Sequence, residues 1–252
     1  MKLSTEKIYY SYLGIQEKNR TKETFINPDF YKWTPIIEEN YQIIYAEIIK
    51  HFEVHKNHYY PYFASDLVNL KDKWKSFGFY FFGIRAEKSI CDSFSATIKI
   101  LKNIPGIVSA SVSIMEPNSA IKPHYGDTNA IHRCHLGLLI PASLPFTGFQ
   151  VGYEERSWEQ GKLLIFNDAA YHKAWNESSQ PRIVLIVDVI RPEFIKKKLW
   201  ICARVNAIIK SQRIVQKLPI LKSITKNRAF QWVMSLLVYI YFSVCKRNKL
   251  WL

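Results

Sequence analysis

Two histidines and one arginine between residues 124 and 182 have the side-chain types needed to bind a metal ion and an organic acid. His124 follows Pro123 at the start of the turn-rich segment HYGDTN, and His172 lies in FNDAAYHKAW, just past a β-rich run. Neutral imidazole binds first-row divalent metals, and loops at strand ends are where a β-barrel presents ligands. Arg182 opens the otherwise apolar run IVLIVDV. A guanidinium at such a position can bind a carboxylate through two parallel hydrogen bonds.

The same residue types also occur without any chemistry. Histidines are commonly held by ordinary hydrogen bonds in a core or on a surface, and an arginine at a strand end usually faces solvent. Arg133 and His135 flank Cys134, so both side chains lie on one face of a strand. That face is either the solvent side or the interior. The residue types alone therefore leave both interpretations open.

Other residues of metal-binding type are less informative. His51, His55 and His58 have helical spacing and could bind a metal, but a solvated helix end is the simpler interpretation. The cysteines stand far apart and form no CxxC pair, at Cys91, Cys134, Cys202 and Cys245. This spacing argues against a thiolate zinc site and a disulfide framework, and it favours a reducing compartment.

The segments around His124 and His172 contain an ordered set of motifs. SIMEPNSAIKPHYGDTNAIHRCHLGLLIP is followed by SWEQGKLLIFNDAAYHKAWNESSQPRIVLIVDVIRPEF. Together they closely resemble the aspartyl/asparaginyl β-hydroxylase family, densely from Ser113 to Phe194 and more thinly back to about Asp29. The resemblance implies a double-stranded β-helix, a jelly-roll or cupin-like barrel that binds Fe(II) and 2-oxoglutarate. It also implies use of O₂ to hydroxylate an unactivated C–H bond.

For the metal, the resemblance implies that His124 and His172 are the iron ligands and hence the catalytic centre. Most iron and 2-oxoglutarate enzymes add a carboxylate two residues after the first histidine, but that position is Gly126, as in the family. We expect Asp127 to shape the HYGDTN turn rather than to bind metal. Asp168 could orient His172 by a hydrogen bond or cap a turn, and both roles stay open.

For the cosubstrate, the resemblance implies four binding residues. Arg182 matches the arginine that pairs with the distal carboxylate of 2-oxoglutarate, and Ser113 matches its hydroxyl partner. Arg133 and His135 match residues that contact the cosubstrate carboxylate near the metal, which favours the interior side of their strand. A dianionic cosubstrate needs fixed cations of this kind.

The elements that must position these residues divide the chain into three segments. Residues 1–105 are mixed and mainly helical in texture, residues 106–195 are β-rich, and residues 196–252 return to helical texture. We expect residues 1–195 to form a dioxygenase domain whose core, 106–195, is a mainly β barrel behind N-terminal helices. Short apolar runs such as IVSASVSIM, HRCHLGLLIP, KLLIFND and RIVLIVDVI predict its strands.

The N-terminal segment predicts two helices around a strand. Apolar spacing and Pro35 favour one helix over Trp33–Phe52, and CDSFSATIKILKNI favours a second that ends before Pro105. WKSFGFYFFGIRA, between them, has the dense aromatic content of a buried strand. The first residues lack an apolar h-region and a cleavage site, so we expect no signal peptide.

The positive charge of the chain is concentrated at its C-terminal end. From Lys196 onward there are 13 Lys and Arg and no Asp or Glu, whereas residues 1–195 carry 22 basic and 21 acidic residues. Leu199–Leu218 is amphipathic, so it either binds a membrane surface or packs its apolar side on the barrel. Ala229–Cys245 is 17 residues without charge. This run favours a shallow membrane anchor over a true span.

These patterns predict a cytoplasmic dioxygenase, with peripheral attachment to an anionic membrane surface through the tail as one option. The expected reaction is hydroxylation of the β-carbon of Asp or Asn in a peptide or protein. The alternative is hydroxylation of a membrane-lipid acyl chain by the same chemistry. A cupin-like binding module without turnover and a membrane-tethered scaffold are competing classes. Nucleic acid is an unlikely partner, because no recognition motif accompanies the basic charge.

Overall fold

Two antiparallel β-sheets form the centre of the structure, a computed structural model that describes residues 7–11, 24–55, 61, 67–70 and 72–244. Within these residues the larger sheet has the strand order β1 (Phe25–Ile26), β9 (Leu163–Asn167), β6 (Ile131–Leu139), β11 (Arg182–Ile190), β4 (Ile107–Met115), β2 (Trp74–Phe81) and β3 (Ile84–Arg85). The smaller sheet has the order β5 (Ser119–His124), β10 (His172–Asn176), β7 (Thr147–Val151) and β8 (Glu154–Arg156). Side chains from both sheets line one internal cavity, so the sheets enclose it.

Strict alternation along the central strands produces this arrangement. In β4, Ser109, Ser111 and Ser113 point into the cavity, while Val112 and Ile114 pack on the opposite side of the sheet. Because successive side chains of a strand point to opposite faces, one face can be polar and the other a core. The mainly β, double-stranded β-helix architecture expected from the sequence is confirmed.

Four short helices cover the outer face of the larger sheet: α1 (Thr34–Glu39), α2 (Tyr41–Val54), α3 (Lys88–Ser93) and α4 (Ser95–Leu101). Ile37, Ile44 and Ile48 are fully buried against that face, in one cluster with Val112 and Leu136. This layer fixes the position of the sheet from outside. The fold is therefore helices on a large sheet, with the smaller sheet on its far side.

Both predicted N-terminal helices are interrupted, and single helices over Trp33–Phe52 and residues 91–104 are wrong in that respect. The first is broken at Asn40, whose side-chain Nδ2 donates to the carbonyl of Ile36 at 2.9 Å. The second is broken at Phe94, which leaves helical geometry and whose ring stacks on Phe77 at 5.2 Å. In each case a side-chain contact outweighs the continuation of the helix.

The WKSFGFYFFG segment is a strand, as predicted, and it pairs with β4 over most of its length. The same N-terminal segment also supplies β1 and β3 to the larger sheet. Where the structure describes residues 24–105, four α-helices and three strands therefore occur together. Cys91, Cys134 and Cys202 are free and buried. His58 and Cys245 lie outside the described residues.

Three helices follow the barrel and close one of its ends: α5 (Lys198–Lys217), α6 (Lys222–Lys226) and α7 (Arg228–Val244). We call residues 198–244 the cap. The apolar side of α5 packs on the barrel, where Ile201 and Val205 share a buried cluster with Phe82 and Ile131. Of the two interpretations of Leu199–Leu218, packing on the barrel is therefore correct. Within the described residues no helix combines the length and apolar character needed to cross a membrane.

Candidate metal and cosubstrate site

The cavity between the two sheets brings the predicted site residues together. It has a volume of about 300 Å³, and Ile209 and Arg213 of α5 form part of its wall. All six residues singled out from the sequence line it: Ser113, His124, Arg133, His135, His172 and Arg182. The shared face of Arg133 and His135 is thus the interior one.

His124 and His172 face each other across two paired strands. His124 is the last residue of β5 and His172 the first of β10, and the antiparallel register places them directly opposite each other. Their ring centroids are 4.2 Å apart. The expectation that both lie at strand ends is confirmed, although they belong to the strands and not to the loops.

The backbone fixes the same tautomer in both imidazoles. Nδ1 of His124 lies 2.8 Å from the carbonyl oxygen of Lys122, and Nδ1 of His172 lies 2.8 Å from that of Ala170. A carbonyl oxygen only accepts, so each Nδ1 carries the proton and each Nε2 keeps its lone pair. An imidazole whose second nitrogen is held by a carbonyl is the usual form of a histidine metal ligand.

The surroundings also keep both rings neutral. Burial lowers the pKa of His124 to about 4. Burial and the neighbouring His124 lower the pKa of His172 well below its usual value. At neutral pH both rings are therefore unprotonated and able to bind a metal. The donor set fits iron, which imidazole ligands suit.

The space beside the histidines explains the absence of a carboxylate two residues after His124. A Cβ on Gly126 would overlap the side-chain carboxylate of Asp168. Asp168 accepts a hydrogen bond from the backbone N–H of Asp127 at 3.0 Å, and its carbonyl accepts one from Gly126 at 2.8 Å. Asp168 therefore holds the HYGDTN turn and does not orient His172. Within the described residues no group of three or more His, Cys, Asp or Glu side chains is placed to hold a metal ion.

Asp127 contributes to both the turn and the cavity. Its carbonyl accepts the backbone N–H of Ser11 at 2.9 Å, in keeping with the expected role in the turn, and its side chain lines the cavity. Burial raises the pKa of the Asp127 carboxyl to about 6, against the lowering effect of Arg133. The side chain thus adds to the acidic side of the cavity, next to Arg133.

Arg182 is a buried cation without a carboxylate partner among the described residues. Its side chain is 1% exposed, and its Nε has no hydrogen-bond partner. The guanidinium lies over the ring of Trp158 at 4.7 Å and makes only long contacts, such as 3.4 Å from NH1 to Oγ of Ser113. Burial lowers its pKa to about 9. A guanidinium buried in this way is costly unless an anion enters the cavity.

Two further donors point to the same missing anion. Oγ of Ser113 accepts from the indole N–H of Trp74 at 3.0 Å and from Arg182, so its own proton is free to be donated. Nδ1 of His135 accepts from the indole N–H of Trp158 at 3.2 Å, which leaves the proton on Nε2. That buried Nε2 has no partner. The cavity therefore presents donors but lacks the acceptor that they require.

Arg133 differs from Arg182 because its charge is neutralised within the protein. Its Nε and NH2 donate to the two carboxylate oxygens of Asp188 at 2.7 and 3.0 Å, and NH1 lies 2.6 Å from Oδ1 of Asp168. Burial raises the pKa of Asp168, and the Arg133 guanidinium opposes that rise. Arg133 thus ties β6 to β11 and to the turn before β10. A contact between Arg133 and a cosubstrate stays a prediction.

Sequence reasoning missed three residues that complete the site: Trp74, Trp158 and Asp188. Trp74 and Trp158 are 7% and 3% exposed and act through their indole N–H groups. Nothing in the sequence distinguishes them from core aromatics. Asp188 carried a usable signal, because it is a charged residue inside the apolar strand IVLIVDVI. A buried charge in such a strand requires a partner.

Comparison with known proteins gives a consistent result. Residues 38–192 match the family model described as aspartyl/asparaginyl beta-hydroxylase. An ornithine lipid ester-linked acyl 2-hydroxylase of Rhizobium tropici is 33% identical over 169 residues, which cover 64% of this chain and 58% of that protein. The human aspartyl/asparaginyl beta-hydroxylase is 32% identical over 164 residues, covering 62% of this chain but only 21% of that protein.

Among solved structures, a Pseudomonas putida prolyl-4-hydroxylase is similar over 60% of this chain and 87% of its own. The TM-score is 0.41 and the sequence identity 12%, so this likeness is too low to carry an argument. The residues matched by the family model include the six cavity-lining residues that were singled out from the sequence.

Proposed function

Because the chain belongs to the aspartyl/asparaginyl β-hydroxylase family, we propose that it is a hydroxylase that uses Fe(II), 2-oxoglutarate and O₂. The observation that carries the proposal is the buried, unpaired guanidinium of Arg182 in the same cavity as two neutral imidazoles. A buried guanidinium that no carboxylate of the described residues pairs calls for an acidic ligand, and 2-oxoglutarate is an acid with two carboxylates. Two imidazoles leave most metal positions open for such a ligand.

Each residue then has a defined role. Nε2 of His124 and Nε2 of His172 would hold the iron. Arg182 would pair with the distal carboxylate of 2-oxoglutarate, and the Ser113 hydroxyl would donate to the same group. Bound iron and cosubstrate would supply the oxidising chemistry, in which 2-oxoglutarate loses CO₂ and takes up one oxygen atom of O₂ to become succinate, while the other oxygen atom enters the substrate C–H bond. The protein contributes binding, orientation and an enclosed cavity.

His135 and Arg133 would act at the metal end of the cosubstrate. The unpartnered Nε2–H of His135 can donate to a carboxylate oxygen there. Arg133 is held rigidly by Asp168 and Asp188, so its remaining donor capacity is fixed in direction. Groups held in advance do not have to reorganise when charge develops, and this favours reaction.

Two substrate classes are compatible with this chemistry. The sequence-based expectation was the β-carbon of Asp or Asn in a peptide, in keeping with the name of the human relative. A membrane-lipid acyl chain is the second candidate, in keeping with the name of the bacterial relative. The lining of the cavity is compatible with it, because Phe81, Ile186 and Ile209 contribute apolar side chains.

The first test is the visible spectrum of the protein with Fe(II) and 2-oxoglutarate without oxygen. We expect a weak metal-to-ligand band near roughly 500–530 nm, which His172→Ala abolishes. His55→Ala is the matched control, since His55 is an exposed histidine directly after α2 and does not line the cavity. No band in folded wild-type protein with excess iron would reject the proposal and leave a cupin-like binding module as the better interpretation.

The second test identifies the substrate class by succinate release. The same preparation is supplied with Asp- and Asn-containing peptides in one arm and with dispersed acyl lipids in the other. Release above the level without substrate in the peptide arm alone supports the β-carbon of Asp or Asn. Release in the lipid arm alone supports the acyl chain.

A further inference from the structure

Helix α7 exposes apolar side chains along about half of its circumference. Trp232 is 54% exposed, Leu237 57% and Val244 75%, and Val233, Ile240 and Tyr241 are each 48% exposed. At about 100° per residue, these positions form one continuous strip along the helix. Ser243 is its one polar member among the described residues. Isolated exposed apolar residues are ordinary, but a continuous strip of this kind marks a surface with a partner.

Two polar residues of α7 lie on its inner side instead. Gln231 and Ser235 are buried, at 4% and 0% exposure. Nε2 of Gln231 donates to the carbonyl of Thr225, and Oγ of Ser235 accepts from Arg204 at 2.9 Å. A surface helix in water normally shows its polar side to the solvent and its apolar side to the core. α7 instead buries apolar side chains such as Val238 on its inner side and is apolar on its outer side as well, so the outer side is suited to a non-aqueous neighbour.

Basic and apolar residues alternate at the start of this surface. Leu218, Ile220 and Ile224 are 54%, 88% and 53% exposed, and Lys222 and Lys226 are exposed beside them. No acidic residue occurs from Lys196 to the end of the chain. We call the exposed side chains of residues 218–244 the cap surface. Apolar side chains next to uncompensated lysines are typical of segments that lie on anionic lipid.

We propose that the cap surface docks on the anionic leaflet of a membrane, with α7 lying in the interface. The described part of α7 is 17 residues and roughly 25 Å long, and no helix among the described residues has the properties of a span. A second copy of this chain is a poor occupant. A two-fold interface brings the same patch of each copy together, and here that would set lysines against lysines without an acid to offset them.

Docking would also bring the cavity to the membrane. α7 packs on α5 through Val238 and Phe242, and α5 supplies Ile209 and Arg213 to the cavity wall. The helix that carries the cap surface therefore rests on the helix that borders the cavity. From this arrangement, and resting on the proposed function, we infer that the substrate is an acyl chain of a membrane lipid.

Flotation of the full-length protein with vesicles tests the docking. The vesicles contain phosphatidylglycerol and phosphatidylcholine in equal amounts, or phosphatidylcholine alone. We expect the wild-type protein to bind the first kind of vesicle. The double variant Leu237→Glu/Ile240→Glu should partition onto these vesicles at least about tenfold less than the wild type. Tyr153→Glu is the control, because Tyr153 is 97% exposed and lies on the turn between β7 and β8, outside the cap.

A charge variant makes the test independent of the apolar substitutions. Lys222→Glu/Lys226→Glu is expected to weaken binding to the anionic vesicles, and added salt is expected to weaken wild-type binding in the same direction. Equal binding of wild type and both double variants would overturn docking through the cap surface. So would a wild-type dimer that binds no vesicles and becomes a monomer in Leu237→Glu/Ile240→Glu.

The substrate part of the inference has a separate readout. Succinate release should rise with the acyl lipid in anionic vesicles and fall when Leu237→Glu/Ile240→Glu detaches the protein. The anaerobic band of the same variant should be unchanged, since neither residue lines the cavity. Vesicle binding without lipid-dependent succinate release would reject the substrate inference and leave the docking intact. Loss of the band in wild type would reject the proposed function itself.

Discussion

The barrel interior and the outer side of α7 both depart from the usual pattern of burial: the interior buries a charge, and α7 exposes apolar side chains. The interior encloses the charged side chain of Arg182 with no carboxylate to pair it, and the outer side of α7 exposes Trp232 and Leu237 to solvent. Each arrangement is less stable than its conventional opposite. Each would be relieved by a partner that the described residues do not supply. The comparison shows that departures from ordinary burial can locate a ligand as well as a motif can.

The two regions differ in how they specify that partner. The interior uses directed donors, such as the Ser113 hydroxyl and Nε2 of His135, whose positions are set by neighbouring tryptophans. The cap surface uses apolar area and scattered positive charge, which have no preferred direction. The interior therefore selects a particular small acid, and the cap surface selects a class of environment.

The largest expected effect comes from removing the interior cation. Arg182→Met should weaken 2-oxoglutarate binding by at least about 100-fold, while the free energy of unfolding stays the same or rises by about 1–3 kcal/mol, since an unpaired buried charge is lost. Equilibrium denaturation and cosubstrate titration measure the two quantities. Arg182→Lys is the control, because it keeps the charge but loses the planar fork. A large loss of stability in Arg182→Met would show that the guanidinium stabilises the fold. It would contradict the interpretation that this buried charge is there to bind a ligand.

A second substitution tests how tightly the interior is built around the histidines. Gly126→Ala should lower the free energy of unfolding by about 1–3 kcal/mol, because its Cβ overlaps the Asp168 carboxylate. Gly78→Ala is the matched control in the same cavity, where the nearest heavy atoms to a new Cβ are 3.8 Å away. Equal stability of the two variants in thermal denaturation would contradict the close packing of Asp168 against the turn.

A third prediction separates the cavity from the opposite side of the larger sheet. His132 is 3% exposed there, its Nδ1 lies 2.9 Å from the Tyr31 hydroxyl, and burial lowers its pKa from 6.5 to about 3. The folded state then resists protonation while the unfolded state protonates below pH 6.5. This contribution is therefore complete above pH 6.5 and is lost progressively as the pH falls toward 3.

The matching variant is His132→Asn, which retains a polar group and does not titrate. Between pH 6.5 and about 5 the wild type should lose about 2 kcal/mol more unfolding free energy than this variant. Urea denaturation at both pH values measures the difference. Parallel pH profiles would mean that the acid sensitivity arises elsewhere, for instance at the cavity histidines.

The smallest effect is expected on the cap surface. Leu237→Gln/Ile240→Gln should change the free energy of unfolding by no more than about 0.5 kcal/mol, because both side chains already face solvent. The reference is Val238→Gln, at a position 6% exposed against α5, which should destabilise the protein clearly. A clear loss of stability in Leu237→Gln/Ile240→Gln would show that these side chains pack in a hydrophobic core. The outer side of α7 would then no longer differ from the interior in the way described.

Much of the barrel could be predicted from the sequence, because its strands alternate with a period of two. IVSASVSIM and RIVLIVDVI are strands β4 and β11, and the shared face of Arg133 and His135 follows from their spacing around Cys134. That this face is the interior one was implied only by the family resemblance. The breaks at Asn40 and Phe94 could not be predicted in this way. Each depends on a local side-chain contact that competes with helix continuation.

The residues of the candidate site could be predicted from the sequence, but the hydrogen bonds and ion pairs between them could not. The family motifs contain all six residues, yet nothing local shows that Arg133 is neutralised by Asp168 and Asp188 while Arg182 is not. These pairings join residues far apart in the chain and depend on strand register. The same holds for α5, where the sequence left membrane binding and packing open until its neighbours were known.

The register of β5 against β10 has a consequence for folding as well. Since His124 and His172 stand directly opposite each other, a slip by one residue would turn one imidazole to the far side of the smaller sheet. Only one alignment of these two short strands lets both rings meet. A metal ion bound by both rings would therefore stabilise that alignment. Backbone amides of β5 and β10 should then exchange their hydrogens more slowly with the ion than without it.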